Sequence, residues 1–582
     1  MPSPTPPEHR SLAADDVALF TEETPLLPSD DDPSCASERP TSTHPDDLNT
    51  PNQKVSRSRA IGIMISVYVL IFLQASNMSG MTMVQSVIAA DLDAYENAMW
   101  FTTSFLVALS SMAPLTGKLA TIFSPRAMVL VSSVLFATGC LITSQARSFL
   151  VFILGRIICG LGGGGTMVLA FILVLELTTK RNRGIFIGLT NAGFTTGVSL
   201  GAVFFGGLVS TTGWRALFWI QTPLSLLAGS GVFFSIPSSF TSGQTSTADP
   251  WSTKLKRIDY LGAFFLATTI VLFLFGLSGN IRPAPLATSL GTLVLFLLIE
   301  RYLAVDPIVP LTILRNRGAL LSCFSQLGFM AARWTVLFYS PITALAVRGF
   351  QPAASGSILI PTNLGFGIGG LLVGWLHIRR SGSFYLPSLL CFGLFGISLL
   401  ALSFASTPGV PMWLYVAIVF LNGLFTGGAL NYTLAHLLHL TLPETHYVAT
   451  SLLGTFRGFA GSFGSAIGGG IFVRTLRGSL EKGFQAIDRD DSRRLQREEL
   501  IRKLIGSPAM VFNGGLDHRE QAVAVQGYVD ALRVLFQAAV ALIIVVVAIQ
   551  AATGWSGHGD KLKDHERAAG NSTGEDEGEL QR

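Results

Sequence analysis

The sequence predicts an all-α polytopic membrane protein, and three observations carry that prediction. Of its 582 residues 49% are hydrophobic and only 13% charged, and mean hydropathy is +0.51. Soluble chains carry about 25% charged residues, so the main solvent of this chain is lipid. About fourteen apolar stretches, each near the ~20 residues that cross a bilayer as helix, lie between Ala60 and Trp555. They are continuously apolar, without the alternation of a membrane β-barrel.

Taken in order, residues 1–58 are rich in Pro, Ser, Thr, Asp and Glu. Such a composition cannot offset the entropy of folding, so a disordered cytosolic tail is expected there. No basic stretch followed by an apolar core stands near Met1, and the first membrane helix is expected to direct insertion. Helices are predicted near 60–82, 98–119, 126–146, 149–177, 184–208 and 215–236, an amino-terminal half over 59–237. Two extra helices, near 258–278 and 284–304, fill 258–304. Helices near 318–344, 354–376, 383–406, 411–438, 447–474 and 531–553 make a carboxy-terminal half over 316–553, followed by a tail, 554–582. Two six-helix halves around a central pair form a weak internal repeat, as in carriers that bind solute at the repeat interface. The stretch 476–530 is expected as a lumenal loop whose "DRDDSRRLQREELIRKL" forms one short amphipathic surface helix.

Charge sets orientation. The short loops on the side of the tails hold roughly thirteen Lys and Arg, against about four in the short loops opposite, which places both termini in the cytosol. The net charge of +4 forms no continuous stripe, so no nucleic-acid partner is expected. Cys140, Cys159, Cys323 and Cys391 lie in apolar segments and Cys35 in the tail, so they read as packing residues without a disulfide framework. No nucleophile-base pair or metal cluster stands at chemical spacing, and neither enzyme activity nor a cofactor nor a metal is expected.

The run "GRIICGLGGGGTMVL" lacks the Lys-Ser/Thr and the preceding strand of a phosphate loop, and its glycines read as close helix packing. Arg156 within it costs about 2.5–3.5 kcal/mol to insert near midplane, so it should face a wet cavity or a partner. Arg333 in "FMAARWTVLF" and Arg457 in "LLGTFRGFAG" repeat the pattern and suggest a polar pathway. Gln74, Asn77, Gln85, Asn191, Gln221, Asn363, Asn422 and Asn431 add neutral groups for interhelical bonding or solute contact. Glu176 and Asp259 fall at helix ends, leaving no obvious midplane carboxylate. An electropositive cavity is expected, which favours a carboxylate or another anion. His436 and His439, at i and i+3, share a helix face near the cytosol. The glycosylation patterns at Asn77 and Asn431 lie in membrane segments and that at Asn571 in the cytosolic tail, so no glycan is expected.

The motifs "GRIICGLGGGG", "LELTTKRNRG", "GLTNAGFTTGVSLGAVFFGG" and "GWRALFWIQTP" fall in order and spacing. In them the chain resembles the major facilitator superfamily and, within it, the fourteen-helix drug:proton antiporter branch. "GWRALFWIQTP", with Gln221 where drug pumps usually carry Asn, and "AVRGFQPAASGSILIPTNLGFGIGG" are similar to fungal vacuolar basic amino acid transporters. The resemblance covers about residues 60–553 and implies the major facilitator fold. It gives Arg156 a role in proton coupling and Gly193, Gly197 and Gly201 the antiporter motif of helix five, with Val198 where proline is usual. "GKLATIFSPRAMVL" aligns with the loop between helices two and three, where the family has Asp, Gly and Arg at Thr121, Ser124 and Pro125. Gly117 and Arg126 remain, and with Glu176 and Arg183 they complete the expected gating set. Loss of the acid should alter gating without loss of the fold. In "FLQASNMSGMTMVQSVIAADL", Asn77 replaces the branch's usual aspartate and Ser86 its proline.

Glu22 and the pair Leu26-Leu27 in "EETPLLP" resemble an acidic dileucine signal, read by a sorting adaptor for delivery to the vacuole. The expected function is transport of a small polar solute, an amino acid, across the vacuolar membrane by alternating access, with lumenal protons as the exchanged ion. Basic amino acids are implied only by the resemblance, and membrane lipid is the surrounding partner. Two alternatives stay open: export of a drug or secondary metabolite at the plasma or vacuolar membrane, and a non-transporting sensor with a carrier fold.

Overall fold

Helix α1 (Arg57–Asp91) opens the computed structural model, which describes residues 57–177, 183–236, 259–277, 281–303, 316–374, 384–441, 446–487 and 494–554. Among the described residues there is no strand, as expected where lipid offers backbone groups no partner and each segment must satisfy its own. The amino-terminal half continues with α2 (Trp100–Ile122), α3 (Pro125–Ser144), α4 (Phe149–Leu177), α5 (Arg183–Trp219) and α6 (Gln221–Ser235). The extra pair is α7 (Tyr260–Leu277) and α8 (Pro283–Tyr302). The carboxy-terminal half comprises α9 (Arg317–Ile342), α10 (Pro352–Gly356), α11 (Leu359–Leu372), α12 (Tyr385–Ala405), α13 (Met412–Leu440), α14 (His446–Ile487), α15 (Arg494–Gly506), α16 (Met510–Asn513) and α17 (His518–Ala551).

Over the described residues, each of the fourteen predicted segments overlaps a helix. Among the described residues, twelve helices are long and apolar enough to cross a membrane. The other two predicted segments are short or diluted: α6 has 15 residues, and α14 mixes Arg457 with many glycines and serines. Segments five and six are continuous except at Gly213, whose φ of +74° only glycine adopts without strain. Beyond that bend Trp214 is buried and Arg215 reaches back to Asp91 at 2.7 Å and to the Ala146 carbonyl at 3.0 Å. The "GWR" motif thus ties the end of α5 to the ends of α1 and α3.

Helix pairing repeats across the two halves. In the first, α5 packs on α1, α4 on α2 and α3, and α6 on α3 and α1; in the second, α14 packs on α9, α13 on α11 and α12, and α17 on α12 and α9. Small residues permit these approaches. A Cβ on Gly160 or Gly164 would lie 2.4 Å from the Phe105 or Leu109 carbonyl oxygen of α2, and one on Gly162 would lie 2.3 Å from the Phe136 nitrogen of α3. The glycine run is therefore a helix-packing face, as the sequence predicts.

Helices α7 and α8 pack on each other, and α7 leans on α2 and α14 through Trp100–Phe275 and Phe273–Phe463 ring contacts at 5.6 and 5.5 Å. Their remaining surface, including Phe264, Val271, Leu290, Val294 and Leu298, is exposed, as suits a lipid-facing pair.

The stretch 476–530, expected as a loop with one short helix, is instead largely helix. Leu476, Leu480 and Phe484 repeat every fourth residue along α14 and bury one stripe against Ala524, Tyr528 and Leu532 of α17. Charged neighbours masked that stripe in the sequence. Asp517 and Glu520 start α17 with a reciprocal capping box. Helix α15 lies over the turn Tyr95–Asn97, between α1 and α2, with Arg502 3.1 Å from Asp93 and the backbone of Gly506 against that of Tyr95. The Tyr528 hydroxyl donates to the Leu504 carbonyl at 2.5 Å, and Arg497 pairs with Glu520, so α15 is fastened to both halves. We refer to this as the capped end.

Candidate functional site

A cavity of about 30 Å³ lies between the halves. From α5 it takes Asn191, Phe194, Thr195 and Val198; from α9, Met330, Arg333, Trp334 and Leu337; from α11, α13 and α14, Asn363, Phe366, Thr426 and Arg457. At ~10–15 Å³ for each water, it has room for about two waters. A second cavity of about 60 Å³ lies towards the capped end, lined among others by Gln85, Tyr95, Glu96, Thr102, Tyr339 and Pro508.

Arg333 projects from α9 and is buried. Its Nη1 donates to Thr362 Oγ1 at 2.5 Å and Asn422 Oδ1 at 3.0 Å, and its Nη2 to the Thr362 carbonyl at 3.3 Å and Asn363 Oδ1 at 3.5 Å. All these acceptors are neutral. Asn363 Nδ2 donates in turn to Ser199 Oγ of α5 at 2.8 Å, so Arg333 is wired to the opposite half through one side chain. Nearby, Phe194 meets Trp334 edge-on at 6.1 Å, and Ser110 bonds Ser462 between α2 and α14. Arg457 lines the cavity and has no hydrogen-bond or ion-pair partner among the described residues.

The sequence-derived set divides in two. Asn191, Arg333, Asn363 and Arg457 meet in the central cavity. Arg156 lines neither cavity: of the two expected environments, a wet cavity or a partner, it takes the second, wholly buried within the amino-terminal half. Its Nε donates to the Phe101 carbonyl at 2.8 Å, its Nη1 to Asn77 Oδ1, and its guanidinium sits 4.6 Å from the Phe105 ring centroid. Asn77 Nδ2 donates to Gln221 Oε1 at 3.0 Å, linking α4, α1 and α6. Arg156 Nη2 has no partner among the described residues. Cys140 and Cys159 lie beside this node as free thiols 3.5 Å apart. Gln74 is buried against Gly163 of α4, outside both cavities.

Among the gating candidates, Gly193, Gly197 and Gly201 seat α5 on α1, and a Cβ on Gly201 would lie 2.4 Å from Ser76 Cα. Ser124 and Pro125 give α3 an N-cap and a first-turn proline, which explains how the altered loop keeps its fold. Arg126 stacks 4.0 Å from the Phe233 ring centroid, and a Cβ placed on Gly117 would make only an ordinary contact with Val168. The side chains of Thr121, Glu176 and Arg183, and all of Glu22, Leu26 and Leu27, lie outside the described residues. His436 Nε2 meets Thr553 Oγ1 at 3.0 Å, and no group of three or more metal-ligating residues occurs among the described residues. Sequence reasoning missed Trp334, Phe194, Thr195 and Thr426; the one available signal was Trp334 following an intramembrane arginine.

Two repeated helical halves meeting at a central cavity to which both contribute side chains are the architecture of a membrane transporter. The chain belongs to the Major Facilitator Superfamily, whose model matches residues 65–468. It is 30% identical over 315 residues to vacuolar basic amino acid transporter 1 of Saccharomyces cerevisiae, a match covering 54% of this chain and 56% of that protein. It is 27% identical over 482 residues to multidrug resistance protein fnx1 of Schizosaccharomyces pombe, covering 81% and 88%, and 29% identical over 355 residues to efflux pump dotC of Dothistroma septosporum, covering 59% and 58%. A solved bacterial homologue of the human lysosomal transporter Spinster shares the fold, with a TM-score of 0.56 at 13% identity over 86% of this chain and 97% of that one.

Proposed function

We propose that this chain is a secondary active transporter that moves a small polar solute, an amino acid, across the vacuolar membrane in exchange for protons. The observation that carries the reading is the central cavity, to which both halves contribute polar side chains: Asn191 and Thr195 from one, Arg333, Asn363, Thr426 and Arg457 from the other. Rocking of one half against the other exposes such a site to each side in turn. Similarity to a vacuolar basic amino acid transporter supports the membrane and the solute class. The excess of basic residues in the tail-side loops supports cytosolic termini, where a sorting adaptor would read Glu22, Leu26 and Leu27.

A second reading, export of a drug or secondary metabolite, draws on the names of two relatives and on Phe194, Trp334 and Phe366 in the cavity wall. Uptake of labelled Lys, Arg, His and neutral amino acids into acidified vacuolar vesicles, with a protonophore control, separates the two. Protein-dependent, protonophore-sensitive uptake is the expected result. Its absence in vesicles that contain the protein transfers the assignment to export, and absence of flux for every solute tried leaves the sensor.

A further inference from the structure

Among the described residues, the central cavity is lined by two guanidinium groups and no carboxylate. Asn191, Thr195, Asn363 and Thr426 supply its other polar atoms, and the remainder of the wall is apolar. Arg333 is already committed, held in place by the neutral oxygens of Thr362, Asn363 and Asn422. Arg457 on α14 faces the same space without a bond to any described residue. Arg457 is only half-buried and tolerates its charge without a partner, and the group that a guanidinium in a mostly apolar wall attracts is an anion. Guanidinium presents its donors as a planar fork that matches a carboxylate with two parallel hydrogen bonds. A cationic group entering the cavity first would add a third positive charge to two uncompensated ones.

Resting on the transport reading above, we propose that solutes dock in the central cavity through a carboxylate bound by Arg457. Arg333 acts as the fixed second positive charge that orients it. The rings of Phe194, Trp334 and Phe366 then receive the apolar part of the solute. A basic amino acid is accepted by its α-carboxylate, and its side-chain charge is tolerated without being the recognised feature. Selectivity therefore follows the acid group: lysine binds and cadaverine, the same skeleton without the carboxylate, does not.

The test uses the purified full chain in detergent for binding and in liposomes for flux. Its probes are the twenty amino acids and succinate, set against cadaverine, putrescine and agmatine. Carboxylate-bearing probes should raise the melting temperature and the three amines should not. Arg457→Gln should weaken binding of the best probe by about thirtyfold or more, the scale expected when one member of a desolvated charge pair is lost. Arg457→Lys, a cation without the fork, should fall between wild type and Arg457→Gln. Because Arg457 bonds to no described residue, both variants should keep the unliganded melting temperature of wild type.

Equal binding of amines and acids, unchanged affinity in Arg457→Gln, or no binding by any carboxylate in the panel overturns the proposal. Flux distinguishes it from the transport reading. Wild type that binds a carboxylate through Arg457 without moving it across the liposome membrane overturns transport and leaves the docking site standing. Wild type that carries cadaverine as well as lysine overturns the docking site and leaves transport standing.

Discussion

Gly506 offers a direct test of whether α15 is the lid of the capped end. A Cβ at this position would lie 2.5 Å from the Cα and O and 2.8 Å from the C of Tyr95. All three are backbone atoms, so no rotamer change relieves the clash and α15 has to back away from the turn between α1 and α2. Overpacking of this kind costs about 1–3 kcal/mol. The exposed pairs that help hold the lid, Arg502 with Asp93 at 3.1 Å and Arg477 with Glu96 at 3.9 Å, offer about 0–1 kcal/mol each and cannot compensate. Because the penalty falls only on the lid-closed state, Gly506→Leu should shift the equilibrium towards the open state by about 5–150-fold. The assay is the rate at which a charged maleimide labels a cysteine placed at Thr102, which lines the capped-end cavity, in purified protein with the parent chain as background. Labelling that rises by this factor supports the lid. An unchanged rate in folded Gly506→Leu protein refutes the reasoning.

Three other outcomes are expected. Tyr528→Phe removes the hydroxyl that bonds the Leu504 carbonyl, a loss of about 0.5–1.5 kcal/mol, and should raise the same labelling rate roughly two- to tenfold; a drop in rate would contradict the role given to α17 in fastening α15. Arg156→Ala leaves Asn77 Oδ1 and the Phe101 carbonyl without their donor, and should abolish uptake in vesicles while the protein still reaches its membrane; full uptake would assign Arg156 to structure alone. Gly164→Leu drives a side chain at the Leu109 carbonyl, 2.4 Å from where its Cβ must sit, and should prevent monodisperse purification on size exclusion; a well-behaved protein would show that α2 and α4 can separate.

How much of this was legible in the sequence can be judged residue by residue. The membrane, the number of helical segments and the packing role of the glycines between Gly160 and Gly165 followed from local chemistry, whereas the bend at Gly213 emerged only in the structure. Lipid forces each segment to be helical and apolar, and glycine alone tolerates both close backbone approach and positive φ. The intramembrane arginines at 156, 333 and 457 were visible for the same reason, since charge in lipid is rare enough to mark itself.

Only the tertiary structure decided what each arginine faces. The chain contains three similar arginine-in-helix patterns, yet Arg156 is enclosed by Asn77, Phe101 and Phe105, Arg333 is held by Thr362, Asn363 and Asn422, and Arg457 is left facing the cavity. Partners drawn from helices tens to hundreds of residues away set those environments, and no local pattern encodes them. The same holds for the capped end: "DLDAYEN" and "REELIRKLIG" stand about four hundred residues apart, and their charges and the Gly506–Tyr95 contact acquire meaning only when α14 and α17 carry α15 across the molecule. Sequence by itself determined that the chain crosses a membrane as helices with charges set among them; packing of the two halves decided which of those charges faces the central cavity, because burial and partners are properties of the assembled bundle and not of any one helix.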